Sequence, residues 1–166
     1  SLININSPLT FDPIMVGALE HYAAHNQASI ISPFIVGGAM AYPFLKAKGH
    51  EVGSSLCSDS DVELAKKLLA STYASKIVLP VDHSVSDSLD GNPETISDVN
   101  IPDGKIGLDI GPESLAVFCN KIDNANTLLW NGPMGMFENA HYAKGTTGIA
   151  QALSTDTGYT LVGGGD

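Results

Sequence analysis

Gly37-Gly38, Asn131-Gly132-Pro133 and Gly163-Gly164-Gly165 each follow a short apolar run. Glycine lets a ligand approach the backbone closely, and N–H groups at the start of a following helix favour anions. Each turn alone reads as a chain reversal. Side by side on one rim, the three would form a surface suited to a phosphate or a nucleotide. Three oxygen-bearing side chains accompany them. Alone, Asn131 is a turn former, Glu138 is a charge near a helix start, and Asp166 is a terminal residue. His21 and His25 are four apart, a spacing that can bind metal. No carboxylate or cysteine partner lies nearby in sequence, so they read as exposed histidines. Cys57 and Cys119 are far apart, lack metal-type spacing and read as two reduced thiols.

These turns need elements to hold them. Asp12-Pro13 reads as an N-cap and first helical residue, with Met15, Ala18, Leu19 and Tyr22 on one face. Ser29–Val36 reads as a strand, and Pro33 makes it irregular or places it at an edge. Met40–Lys48 reads as helical, with Pro43 tolerable only in the first turn and Gly49 as the stop. Ser60-x-x-Glu63 reads as a capping box ahead of a stripe of Ala65, Leu68 and Leu69. Lys76–Pro80 is a predicted buried strand. Asp82–Gly104 is a predicted polar excursion with one irregular strand at most. Gly111-Pro112 opens a helix with Leu115, Phe118, Cys119 and Ile122 on one face. Thr127–Trp130 and Tyr159–Val162 read as strands, with a helix over Ala140–Leu153 between them. Trp130 reads as core packing. Strands alternating with helices predict an α/β fold: a Rossmann-like three-layer sandwich on a mainly parallel sheet, here truncated. In such sheets ligands lie beyond the carboxyl ends of the strands, where the glycine turns fall.

Composition narrows the function classes. Of 166 residues, 43% are hydrophobic and 16% charged, which is globular composition. The net charge is −10, and every basic residue is a lysine. A nucleic-acid partner would call for a basic stripe, so that class is disfavoured. A free anion would be weakly attracted, and a phosphorylated ligand would need a metal ion, backbone N–H groups or a basic surface from elsewhere. No apolar run reaches the roughly 18 residues of a membrane span. A cytoplasmic location without membrane or nucleic-acid partners is expected. Starting at Ser1 rather than Met suggests a piece of a longer chain.

Five ordered segments resemble the phosphoglycerate kinase family. They are Gly37-Gly-Ala-Met-Ala-Tyr-Pro-Phe-Leu45, Leu79-Pro-Val-Asp82, Gly107-Leu-Asp-Ile-Gly-Pro-Glu-Ser114, Trp130-Asn-Gly-Pro-Met-Gly-Met-Phe-Glu138 and Gly163-Gly-Gly-Asp166. Pro43 departs from the threonine usual there. The resemblance implies part of the C-terminal nucleotide-binding domain over residues 37–166, with ADP or ATP and Mg2+ as ligands. It implies that Gly38 and Leu108 line the adenine pocket, beside Gly37, and that Pro133 packs near the nucleoside. Asn131 would contact phosphates, with Gly132, Gly163, Gly164 and Gly165 around them. Glu138 would accept hydrogen bonds from ribose hydroxyls, which suits an acceptor-only group. Asp166 would hold magnesium as a hard oxygen ligand. No residue of this stretch is expected to be catalytic by itself. In the family the phosphoglycerate site is an arginine-bearing patch of the N-terminal domain, so this substrate is expected only through that domain. The parent is expected to be monomeric, and the chain alone inactive.

Residues 1–36 do not resemble that family's approach to its Gly-Gly-Ala-Met segment. Asn6-Ser-Pro-Leu-Thr-Phe-Asp12, Tyr22-Ala-Ala-His-Asn-Gln27 and Ile31–Met40 instead resemble part of the trimethylamine methyltransferases, barrel enzymes that act with a corrinoid protein. The two resemblances overlap at Gly37–Ala41, where a chimera would join. Other readings are a non-catalytic nucleotide-binding module, a methyltransferase fragment, and a truncated sheet without ligand that aggregates by its edges.

Overall fold

In the computed structural model the described residues are 2–5, 33–72, 74–125, 127–155 and 158–163. Strand β2 (Phe34–Gly37) is buried at every position. Phe34 and Val36 join a cluster with Phe44 of helix α1 (Ala41–Ala47) and with Ala65 and Leu68 of helix α2 (Asp59–Leu69). Ile35 points the other way. It joins Phe118 and Ile122 of helix α3 (Pro112–Asp123) and Ile149 and Leu153 of helix α4 (Lys144–Thr155). Side chains alternate between faces along a strand, so a strand apolar at consecutive positions has helices on both sides.

The sheet containing β2 also holds β1 (Leu2–Ile5), β3 (Ile77–Val78), β7 (Thr127–Asn131) and β8 (Tyr159–Gly163). Their order is β3-β2-β1-β7-β8, and every pairing is parallel. A second, antiparallel sheet has the order β5-β4-β6, with β4 at His83–Ser86, β5 at Glu94–Ile96 and β6 at Ile106–Ile110. A third cluster, with Tyr42 and Leu45 of α1 against Val52, Val85 and Ile101, joins this sheet to the main body.

Several local expectations change. Pro33 lies just ahead of β2, which is an interior strand. The missing proline N–H therefore costs the ladder nothing. The cap of α2 is Ser58, two residues before Ser60: its Oγ accepts from Asp61 N at 3.2 Å. Asp59 and Asp61 fall in the first turn, where the helix dipole favours acids. The strand expected over Lys76–Pro80 shortens to Ile77–Val78 behind a 3-10 turn at Ala74–Lys76. The polar excursion holds two strands, β4 and β5, because Val85 and Ile101 have α1 to pack on. The helix expected from Ala140 begins as a 3-10 turn, Ala140–Tyr142, before α4. Pro43 sits in the first turn of α1, and Gly49 just beyond it has φ of 90°. The expected helix after Asp12, with His21 and His25, lies outside the described residues.

Candidate functional site

Parallel strands bring their carboxyl ends to one rim. Asn131 ends β7 in register with Gly163 of β8 on one side and Asn4 of β1 on the other. Gly37 ends β2 opposite Ile5 of β1. The starts of all three glycine turns are therefore on the same edge. Gly164, Gly165 and Asp166 lie outside the described residues. Gly38 has φ of 59° and Gly132 φ of 108°, a region that side chains other than glycine rarely adopt. Gly38 opens a 3-10 turn, Gly38–Met40, that packs beside β6, the strand carrying Leu108.

The loop after Asn131 is tied down from beneath. Met136 N donates to Leu108 O at 2.8 Å, and Met134 N donates to Thr146 Oγ1 at 2.9 Å. A Cβ at Gly135 would collide with Leu108 O and with Asp109. Leu108 is buried at 6% exposure, so the loop covers it. Pro133 is half-buried at the start of this loop, and Glu138 is exposed at its end. Trp130 is half-buried against the cluster around Phe118 and Leu128, and its indole N–H is buried with no acceptor among the described residues. Lone buried donors of this kind are uncommon.

Two buried aspartates from the antiparallel region hold the helices that flank the rim. Asp82 is fully buried. Its carboxylate accepts from Glu113 N at 2.8 Å and Ser114 N at 2.7 Å. Ser114 Oγ donates to the same carboxylate at 2.5 Å. This serves as the N-cap of α3, because the residue in the cap position, Gly111, has no side chain to offer. Asp109, only 2% exposed, does the same for α4: Gly145 N donates to Oδ2 at 2.8 Å, and Ile110 N to Oδ1 at 2.9 Å. Burial pushes Asp109 up to about 6, although the two N–H donors and Lys144 pull it down. Burial, with the Asp109 charge nearby, raises the Tyr42 phenol well above its usual range. Burial also lowers His83, whose Nε2 is 3.1 Å from Val99 O.

Neither cap was legible as such. Asp82 read as part of a motif, with no hint of a partner 32 residues away. Asp109 carried one signal, a charged residue inside the apolar run Ile106–Ile110. Among the described residues no group of three or more His, Cys, Asp or Glu is placed to hold a metal.

The family model described as phosphoglycerate kinase matches residues 23–166. This span takes in residues 23–36 of the methyltransferase-like segment. The phosphoglycerate kinase of Clostridium novyi (strain NT) is 44% identical over 146 residues, which is 86% of this chain and 37% of the relative. That of Salinispora tropica is 46% identical over 138 residues, covering 82% of this chain and 34% of the relative. The structure of phosphoglycerate kinase from Coxiella burnetii superposes with a TM-score of 0.86 at 30% identity, over 99% of this chain and 42% of that one. The phosphoglycerate kinase structure from Pyrococcus horikoshii OT3, at 22% identity and a TM-score of 0.78, shares the fold. The chain thus spans between about a third and two-fifths of the length of these proteins. The family match over 23–166, the identity to these kinases and the shared α/β fold place this chain in the phosphoglycerate kinase family.

Proposed function

We propose that this chain is the nucleotide-side part of a phosphoglycerate kinase, binding ADP or ATP with Mg2+ along the rim of Gly37, Gly38, Asn131, Gly132, Pro133 and Gly163. The observation that carries the proposal is the register that sets Asn131 beside Gly163 at the carboxyl edge of parallel strands. Gly38 and Leu108 lie on adjoining segments and form the base side; the Leu108 contribution is through the strand that supports the loop. Asn131 and the glycine backbone face the phosphates, and Glu138 accepts from the ribose. Gly164, Gly165 and Asp166 extend the phosphate side. A lone carboxylate at Asp166 suits magnesium, which keeps several waters and leans on substrate phosphates rather than on a protein cage. When bound, that ion neutralises phosphate charge, which a chain of net charge −10 does not otherwise supply.

In the parent reaction, a terminal phosphate oxygen of ADP attacks the acyl phosphate of 1,3-bisphosphoglycerate. The bond from phosphorus to the acyl oxygen breaks, and the carboxylate of 3-phosphoglycerate leaves as ATP forms. This chain's part is binding and orientation. Phosphoglycerate reaches it only with the N-terminal domain of the whole enzyme, a soluble cytoplasmic monomer. The boundary between residues 36 and 37 belongs to the same proposal. Source DNA read from upstream of Ser1 through residue 45 tests it: barrel-type sequence upstream of Ser1 supports the boundary, and continuous kinase-family sequence overturns it.

Trp130 immediately precedes Asn131 and is the single tryptophan, so its fluorescence reports on the rim. Titration with magnesium-ADP is expected to give a saturable change that weakens about tenfold in Glu138→Ala, as loss of charged hydrogen bonds to the ribose predicts. No change, in a chain shown by circular dichroism to be folded, sinks the reading.

A further inference from the structure

Glu138 leads directly into a strap between two parts of the fold. Asn139 follows it and caps the 3-10 turn Ala140–Tyr142, accepting from His141 N at 3.0 Å. The amide of Asn139 also faces Leu89 O at 3.5 Å. Tyr142 closes the turn. Its ring is fully buried, and its hydroxyl donates to Gly91 O, 51 residues away, at 2.5 Å. Leu89 and Gly91 form the tip of the β4–β5 hairpin. That tip is itself fixed: Gly91 N donates to Ser88 O at 3.1 Å, and a Cβ at Gly91 would collide with Ser86 Oγ. Where the hairpin loop leaves its strands, Lys105 bridges Glu94 at 2.7 Å and Asp87 at 2.9 Å. The segment carrying Glu138 is therefore anchored, one and four residues after the glutamate, to a braced hairpin outside the parallel sheet.

Packing alone does not call for the hydroxyl. Phenylalanine would fill the same space, and a buried hydroxyl without a partner costs stability, so its value lies in the bond it makes. That bond joins two loops with no other long-range polar tie between them than the Asn139 amide, among the described residues. An exposed glutamate on a loop is a poor hydrogen-bond acceptor for a particular hydroxyl pair unless its backbone is held.

We propose that Tyr142 is a positioning residue, which through its bond to Gly91 sets Glu138 for the ribose hydroxyls of the bound nucleotide. The proposal rests on the nucleotide reading of the rim, and it predicts that the hydroxyl of Tyr142 matters only for the ribose-dependent part of binding. The 166-residue chain and its Tyr142→Phe variant are titrated with magnesium-ADP and with the analogue whose ribose lacks both hydroxyls. The variant is expected to bind ADP about three- to tenfold more weakly, as one net hydrogen bond allows, and the analogue unchanged. Asn139→Ser, which keeps a capping oxygen but removes the amide donor, is expected to act in the same direction with a smaller loss. Equal weakening for both nucleotides marks a merely structural role and overturns the proposal, as does no weakening. If the unaltered chain does not distinguish the two nucleotides, the ribose role of Glu138 fails and the role of Tyr142 with it. If it binds neither, the nucleotide reading itself is refuted.

Discussion

Asp82 and Asp109 are both buried carboxylates at helix N-termini, but they differ in how fully they are served. Asp82 accepts from two backbone N–H groups and a serine hydroxyl. Asp109 has two backbone donors, and burial lifts it to about 6 from an ordinary value of 3.8. A raised carboxyl pKa means the folded state holds a proton that the unfolded chain has released. This contribution to stability is fully present below about 3.8 and is lost as the pH rises through about 6. Ionising Asp109 in place costs at most about 3 kcal/mol, at roughly 1.36 kcal/mol per unit. The unaltered chain is therefore expected to gain stability relative to Asp109→Asn as the pH falls from 7 towards 4.5, read from urea midpoints measured in parallel. A difference that stays constant over that range would show that Asp109 does not titrate there. His83 is present in both proteins, so its own titration cancels in the comparison.

At the scale of elements, β8 is an exposed edge of the parallel sheet. Among the described residues it pairs only with β7. Tyr159, Leu161 and Val162 are 70%, 52% and 63% exposed. An edge strand with apolar side chains and no charge invites pairing with another chain. Leu161→Lys is expected to reduce concentration-dependent light scattering while leaving the far-ultraviolet circular dichroism unchanged. If scattering persists at the same concentration, association runs through another surface. The antiparallel sheet is a different kind of element. It adds no strand to the rim, yet it supplies both aspartate caps, the Leu108 carbonyl and the hairpin tip that holds Tyr142. Its role is to brace the loop after β7 and the helices flanking it.

For the whole molecule, charge and span set the expectation. The chain covers 37% of the length of its Clostridium novyi relative, carries a net charge of −10 and contains no arginine. Phosphoryl transfer depends on positioning both substrates and neutralising the migrating group. The chain alone is expected to give no phosphoglycerate kinase turnover in a coupled assay, even where magnesium-ADP binds. Turnover by the isolated chain would show that it assembles both substrate sites. Bound nucleotide would still stabilise the fold, by about 2.7 kcal/mol at roughly one hundred times its dissociation constant. Among the described residues, no helix is long and apolar enough to cross a membrane.

Local pattern and short-range turn chemistry were enough for much of this protein. The apolar runs ending at Val36, Trp130 and Val162 do supply strands β2, β7 and β8 within the described residues, each strand running one residue further than read, and Phe118 and Ile122 do form the buried face of α3. The alternation of strand and helix was enough for a parallel sheet, and with it for glycine turns at one edge. The polar stretch from Asp82 to Gly104 was not legible, since β4 and β5 are short and their burial depends on α1 and on the pairing with β6. Nor was the shift of the α2 cap to Ser58, where two overlapping serine-and-acid patterns compete. What only the tertiary structure decided are contacts between residues distant along the chain: Asn131 beside Gly163, Asp82 on Ser114, Asp109 on Gly145, Tyr142 on Gly91. Periodicity and capping signals report on a few neighbouring residues. Which aspartate caps which helix depends on how two sheets pack, and no single stretch of sequence encodes that.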